Sequence, residues 1–246
     1  MILTEGGNAF PDVEPFDHSE IKAILATVNK TLSKTGARAI PIGSGATPVK
    51  GKQSGDLDVI VDQGLLANHY EIKDAKTLRK ALRADFDAAG LQTAQSGISV
   101  HVRVPIGKTA HQVDIMVVPN AENTAKFHTH DIPQDSPYKG LNKHLAISYL
   151  ARKKNMLWSP FQGVFSRNEK GKKGDFVTDN IDEVAKLLIG PDARAKDLGS
   201  LESIMAAIDP QEAEQMLADL KADPSWRERK TESLELARIK QLSGLA

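Results

Sequence analysis

Three aspartates carry the chemistry that this sequence can be expected to perform. Asp56 and Asp58 are separated by one residue in the segment DLDVIV, and Asp114 stands alone in the apolar segment VDIMVV. Alternate residues of a strand point to the same face, so Asp56 and Asp58 project side by side. Two ionised carboxylates this close repel each other unless a cation or a proton lies between them. A charge in an apolar run, like Asp114, is also expensive to bury without a partner.

The chemistry that this pattern indicates is the binding of a hard divalent cation. Oxygen ligands suit Mg²⁺, which binds one or two carboxylates together with substrate phosphates. If the strand of Asp114 lies beside the strand of Asp56 and Asp58, the three carboxylates can share two ions, Mg²⁺ or Mn²⁺. Two ions about 3.5–4 Å apart stabilise the attacking and leaving oxygens of an in-line phosphoryl displacement. We therefore predict that these aspartates are metal ligands and catalytic residues.

A Gly-Ser pair precedes the aspartates in the chain. Gly43 allows close approach of the backbone to a ligand, and the Ser44 hydroxyl with nearby backbone N–H groups suits phosphate oxygens. If segments 37–43 and 56–61 form neighbouring strands, the turn at Ser44 opens beside the carboxylates. We expect a nucleoside triphosphate to place its terminal phosphates on this turn and its α-phosphate at the metal ions.

The order of these residues resembles a known signature. Gly43-Ser44, eleven intervening residues, Asp56-x-Asp58 and a later strand aspartate, Asp114, resemble the DNA polymerase β-like nucleotidyltransferase superfamily. The resemblance implies a small palm sheet, with two aspartates on one strand and the third on a nearby strand. It also implies two bound divalent metal ions, a contact of Ser44 with the β/γ-phosphates, and Asp114 as the candidate base for the attacking hydroxyl.

The chain beyond the palm resembles the palm-to-thumb path of the family X DNA polymerases. The features that carry this resemblance are the segment 112–119, Asn142-Lys143 in a basic helix, and Gly-Val-Phe at 163–165. The resemblance implies that Asn142 lies near the incoming base and Lys143 near the base or a phosphate.

The sequence departs from that family directly after the Gly-Ser pair. Family X polymerases usually carry arginines there, whereas residues 45–48 are Gly-Ala-Thr-Pro. We expect Lys50 or Lys52 to provide the missing positive charge, and we count Lys52 among the nucleotide-binding residues; the alternative is that this chain holds the nucleotide in a different way.

The elements that must position these residues alternate between helix and strand. Apolar spacing, capping residues and Gly or Pro breaks delimit them. We predict helices at 19–35, 75–89, 140–154, 181–189, 200–208 and 210–243 (broken near Pro224), strands at 37–43, 56–61, 98–104 and 111–118, a β segment at 162–178, an irregular arm at 1–17 and a loop at 119–139. The predicted fold class is α/β in the α+β sense: a nucleotidyltransferase palm with a small mixed or antiparallel sheet (domain 1–135), then a mainly helical, thumb-like region (domain 136–246).

Composition excludes several classes of protein. The chain has 246 residues, 32 Lys plus Arg against 32 Asp plus Glu, and no cysteine. Zero formal net charge excludes a uniformly basic protein held on nucleic acid by bulk charge, and the lack of cysteine excludes disulfides and thiolate sites. No apolar run approaches the ~20 residues of a membrane helix. The N-terminal segment also lacks the pattern of a secretory signal, so we expect a cytoplasmic protein.

These observations predict a nucleotidyltransferase that uses an NTP or dNTP and releases pyrophosphate. The acceptor that we expect is the 3′ end of a nucleic acid, DNA or RNA, as in polymerases and terminal transferases. The alternatives are nucleotidyl modification of a protein or small-molecule hydroxyl, and a nucleotide-binding module without catalytic activity.

Overall fold

The computed structural model describes residues 9–129 and 136–226. They form an α+β protein, as the sequence predicts. The chain divides into two compact units, residues 1–129 and 130–246; the boundary predicted from the sequence fell between residues 135 and 136. Among the described residues, no helix is both long and apolar enough to cross a bilayer.

The first unit is built on a five-stranded mixed sheet in the order β2-β4-β7-β6-β5. Strand β4 is parallel to β7, and the other neighbouring pairs are antiparallel. A separate two-stranded ribbon pairs β1 with β3. The strands of this unit are β1 (Phe16–Asp17), β2 (Ile40–Pro41), β3 (Gln53–Ser54), β4 (Asp56–Asp62), β5 (Thr93–Ser96), β6 (Ser99–Ile106) and β7 (Thr109–Val118).

Two amphipathic helices, α1 (Ile21–Leu32) and α3 (Ala75–Ala88), contribute to the core on one face of this sheet. Their buried residues recur every three or four positions, which places them on one side of each helix. The alternate residues of the central strands point into the same core. These residues are Ile24, Val28 and Leu32 of α1, Leu78, Leu82 and Phe86 of α3, Leu57, Val59 and Val61 of β4, and Val113, Ile115 and Val117 of β7.

The first unit differs from the sequence prediction in two short helices. Helix α2 (Gln63–Tyr70) begins directly after β4 with Asp62 as its N-cap, and helix α4 (Ala121–His128) begins after Asn120 in the segment predicted to be a loop. Both caps accept a hydrogen bond from a backbone N–H of the first turn, which satisfies a group the helix leaves unpaired. The predicted strand 37–43 is shorter in the structure, because only Ile40–Pro41 pairs with β4.

The second unit combines four helices with a three-stranded antiparallel sheet in the order β10-β9-β8 within its described residues. Strand β8 was not predicted. The helix predicted over 210–243 with a break near Pro224 is present over Pro210–Lys221, and its predicted continuation from residue 227 lies outside the described residues. The elements are α5 (Leu141–Lys153), β8 (Met156–Ser159), β9 (Gly163–Arg167), β10 (Lys173–Thr178), α6 (Ile181–Leu188), α7 (Leu201–Ala207) and α8 (Pro210–Lys221).

Candidate active site

The two central strands bring the three aspartates onto one face of the sheet. In the parallel register of β4 and β7, Asp58 lies opposite Asp114 and Asp56 lies opposite Gln112. Residues opposite each other on neighbouring strands point to the same face, as do residues two apart on one strand. Sharing of two ions requires the strand of Asp114 to lie beside the strand of Asp56 and Asp58, and in the structure it does. The carboxylates point away from the core that α1 and α3 form with the sheet.

The Gly-Ser turn is attached to the same strand. The Ile42 backbone N–H donates a 3.0 Å hydrogen bond to the Asp58 carbonyl oxygen, so residues 43–45 begin directly beside the candidate metal ligand. Gly43 has φ +57°, which favours glycine, and a Cβ on Gly45 would lie 2.5 Å from Leu57 Cδ1. Both glycines are needed for the turn to fold tightly against β4. Ser44, between them, is exposed.

Asp114 is held in place through one carboxylate oxygen. Its Oδ1 accepts from His101 Nδ1 at 2.7 Å and from Gln112 Nε2 at 2.8 Å. Behind the imidazole, Ser96 Oγ lies 2.7 Å from His101 Nε2. A carboxylate oxygen only accepts, so His101 Nδ1 is the donor of the bond to Asp114. These bonds fix the carboxylate plane, and both fall on Oδ1.

His101 is a site residue that the sequence motifs do not select. The ring is buried, and His101 lies directly opposite Asp114 in the antiparallel pair of β6 and β7. A signal lies between the predicted strands 98–104 and 111–118, where Pro105 and Gly107 suit a hairpin turn. Counting outward from the observed last pair, Ile106 with Thr109, places residue 101 opposite residue 114.

The electrostatics of the site are those of crowded carboxylates. Although solvent reaches Asp58, the surrounding protein removes part of its hydration, which is the largest cause of a raised pKa. Together with the neighbouring charges of Asp56 and Asp114, this raises the pKa of Asp58 to about 7. Asp58 therefore gains from any bound cation, because a positive charge between the carboxylates relieves both effects.

This raised pKa predicts a pH-dependent stability in the absence of divalent metal. The folded state retains a proton on Asp58 between pH ~4 and ~7 that the unfolded state has released, so folding stability falls as pH rises through this range. After allowance for solvent screening we expect a loss on the order of 1 kcal/mol. Urea unfolding in EDTA at pH 5 and pH 8 measures it, as the difference between wild type and Asp58→Asn. Equal differences at both pH values would contradict the prediction.

The other predicted nucleotide-binding residues lie in different surroundings. Lys52 is exposed in the loop between the Gly-Ser turn and β3. Asn142 and Lys143 belong to α5 in the second unit, and their side chains are 0% and 1% exposed. Lys143 Nζ lies 3.4 Å from the Gly199 carbonyl oxygen, to which it donates. Their proposed nucleotide contacts stay predictions; what the structure adds is that Lys143 also fills space inside its unit.

Burial predicts a stability effect for Lys143. Lys143→Ala removes three buried methylenes and the ammonium group, and we expect a loss of about 2–4 kcal/mol of unfolding free energy. Lys143→Met keeps most of the volume and should lose less, and Lys154→Ala, at the exposed C-cap of the same helix, should lose almost nothing. Urea titrations of the three variants measure these effects. Wild-type stability in Lys143→Ala, with weakened nucleotide binding, would instead favour the contact implied by the family resemblance.

The donor chemistry of the site fits magnesium or manganese. Three carboxylates on one face provide hard oxygen ligands, and the raised pKa of Asp58 reflects a repulsion that a cation relieves. Within the described ranges, no group of three or more His, Asp or Glu side chains already converges on a single metal position.

The fold and the site together define an α+β protein with three aspartates and a Gly-Ser turn on one sheet. No protein-family model matches the chain, and no curated protein matches it. The resemblance to the polymerase β-like nucleotidyltransferases therefore stays a prediction from the motif.

Proposed function

We propose that this protein is a divalent-metal-dependent nucleotidyltransferase. It transfers a nucleoside monophosphate from an NTP or dNTP to an acceptor hydroxyl and releases pyrophosphate. The proposed acceptor is the 3′ end of DNA or RNA, and the proposed location is the cytoplasm. The observation that carries the proposal is the register of β4 and β7, which puts Asp58 opposite Asp114 beside the Gly-Ser turn.

Each group of the first unit has a part in the proposed reaction. Asp56, Asp58 and Asp114 would hold the two divalent ions, which when bound neutralise charge on the reacting phosphate. The turn at Ser44 offers a hydroxyl to the terminal phosphate oxygens. Asp114, fixed through Oδ1 by His101 and Gln112, presents Oδ2 as the candidate base.

The proposed step balances as an in-line substitution. The acceptor oxygen forms a bond to the α-phosphorus, and the bond from that phosphorus to the bridging oxygen of the β-phosphate breaks. The hydroxyl proton goes to Asp114, and pyrophosphate leaves with the bridging oxygen. Positioning and charge stabilisation, rather than covalent chemistry by the protein, provide the rate enhancement.

An incorporation assay tests the proposal. Each α-labelled NTP and dNTP is supplied with Mg²⁺ or Mn²⁺ to single-stranded RNA, tRNA, primed DNA and a cell extract, with Asp58→Asn as the control protein. Label extending a nucleic acid supports the polymerase or terminal-transferase assignment. Label found only on protein or small molecules supports the alternative, an enzyme that nucleotidylates a protein or small-molecule hydroxyl. No transfer to any acceptor, despite nucleotide binding, would favour the inactive binding module.

A further inference from the structure

The N-terminal arm is tied to the loop that carries the predicted phosphate turn. Phe16 and Asp17 of β1 pair with Ser54 and Gln53 of β3, and the next residue, His18, donates its backbone N–H to the Lys52 carbonyl oxygen at 3.0 Å. The His18 side chain is 3% exposed. The imidazole is therefore enclosed between the arm and the loop of residues 46–54.

The hydrogen bonds of His18 determine where its ring proton lies. The Val49 backbone N–H lies 3.0 Å from His18 Nδ1. A backbone N–H can only donate, so Nδ1 must be the unprotonated acceptor, and the neutral ring carries its hydrogen on Nε2. Burial lowers the pKa of His18, and the charge of Lys52 lowers it further against the smaller opposing effect of Asp17, which keeps the ring neutral at pH 7.

The proton on Nε2 determines the direction of the next two hydrogen bonds. His18 Nε2 lies 2.9 Å from Ser54 Oγ and donates to it, and Ser54 Oγ lies 3.2 Å from Ser44 Oγ. Because Ser54 receives a hydrogen from the ring, its own hydroxyl hydrogen is available for Ser44. Ser44 can then accept from Ser54 and direct its own hydrogen to an anion. With the opposite tautomer, Ser54 would donate to the ring and could only accept from Ser44.

We propose that His18 and Ser54 are positioning residues that orient the Ser44 hydroxyl as a donor to the terminal phosphate oxygens of a bound nucleoside triphosphate. This role rests on the proposed function, because it needs a triphosphate on the Gly-Ser turn. Along the series Val49, His18, Ser54 and Ser44, each group then donates one hydrogen, and Ser44, the last of them, is exposed.

Binding of non-hydrolysable nucleotides tests the proposal by calorimetry. The probes are α,β-methylene analogues of the common ribo- and deoxyribonucleoside triphosphates with Mg²⁺. We expect Ser44→Ala to weaken binding about 10-fold and Ser54→Ala about 5-fold, as for loss of hydrogen bonds to a charged ligand and to its donor. In Ser44→Ala/Ser54→Ala the second change should add nothing, since Ser54 acts through Ser44.

Two variants of His18 test the hydrogen bonds of Nδ1 and Nε2 separately. His18→Asn keeps an acceptor at the position of Nδ1 for Val49 but loses the donor to Ser54, and we expect about 5-fold weaker binding. His18→Gln places an amide donor at the position of Nε2 and should bind nearly as wild type. Thermal unfolding of each variant shows whether it folds. If a histidine variant does not fold, the binding data of Ser44→Ala, Ser54→Ala and the double variant test the proposal without it.

The outcomes distinguish this inference from the proposed function. Wild-type affinity in Ser54→Ala, with weakened binding in Ser44→Ala, overturns the positioning role and leaves the proposed function standing. An equal loss from Ser54→Ala with or without Ser44 also overturns it, because the effect is then merely structural. Failure of the wild-type protein to bind any of the analogues overturns both.

Discussion

Asp58→Asn is expected to lower kcat for nucleotidyl transfer at least about 1,000-fold, and Asp56→Asn to do the same. Each change removes one anionic ligand from a site whose proposed catalysis depends on charge stabilisation at the reacting phosphate. The fold should persist, because asparagine has the same shape and the site does not contribute to the α1 and α3 core. In EDTA at pH 8 Asp58→Asn should be at least as stable as wild type, since the repelling carboxylate is gone.

Asp62→Asn is the matched control for Asp58→Asn. Asp62 lies on the same strand and the same face, and it caps α2 by accepting from the Leu65 backbone N–H at 3.1 Å. The other oxygen of Asp62, Oδ2, accepts from the Ala121 backbone N–H at 3.3 Å. Asparagine can still cap the helix but keeps only one of the two acceptors, so activity should stay near wild type while stability falls by about 1 kcal/mol. Single-turnover rates of the three variants at saturating Mg²⁺ make the comparison. Full activity in Asp58→Asn with unchanged Mg²⁺ dependence would contradict the assignment of the aspartates as metal ligands.

Asp114→Asn is expected to reduce kcat about 100-fold or more, with little change in the KM for the nucleotide. General-base catalysis typically contributes that much, and an amide cannot take the proton of the acceptor hydroxyl. The measurement is kcat and KM across an Mg²⁺ titration, compared with wild type. A change confined to KM would contradict the assignment of Asp114 as base and ligand.

Variants of His101 test whether its ring orients the Asp114 carboxylate. His101→Ala removes the donor to Asp114 Oδ1, and groups that orient a ligating carboxylate typically contribute 10–100-fold, so we expect about a 10-fold lower kcat. His101→Asn offers an amide N–H near the position of Nδ1 and should recover much of the rate. If both variants lose equally, the ring contributes through packing rather than by orienting the carboxylate.

The central strands could be predicted because they are long, apolar and rich in β-branched residues. Strand β4 covers Asp56–Asp62 against a prediction of 56–61, and β7 covers Thr109–Val118 against 111–118. Such runs are typical of strands buried on both faces. Helix α4 escaped prediction because it has only eight residues and lies in a polar segment, where the Asn120 cap was its main signal.

The sequence by itself determined which side chains can do chemistry and which of them share a face within one strand. Asp56 and Asp58 point the same way because the side-chain period of a strand is two, a property of the local backbone. The Gly-Ser turn could likewise be predicted from the sequence, because glycine marks positions where the backbone turns tightly.

The tertiary structure decided which residues meet across the chain. The parallel register of Asp58 with Asp114, the bond of His101 to Asp114 and the contact of His18 with Ser54 each join segments 13 or more positions apart. Local propensity does not encode these separations. Strand order and register are set by burial of the apolar face against α1 and α3. A slip of β4 or β7 by one residue would turn the site aspartates of that strand into the core.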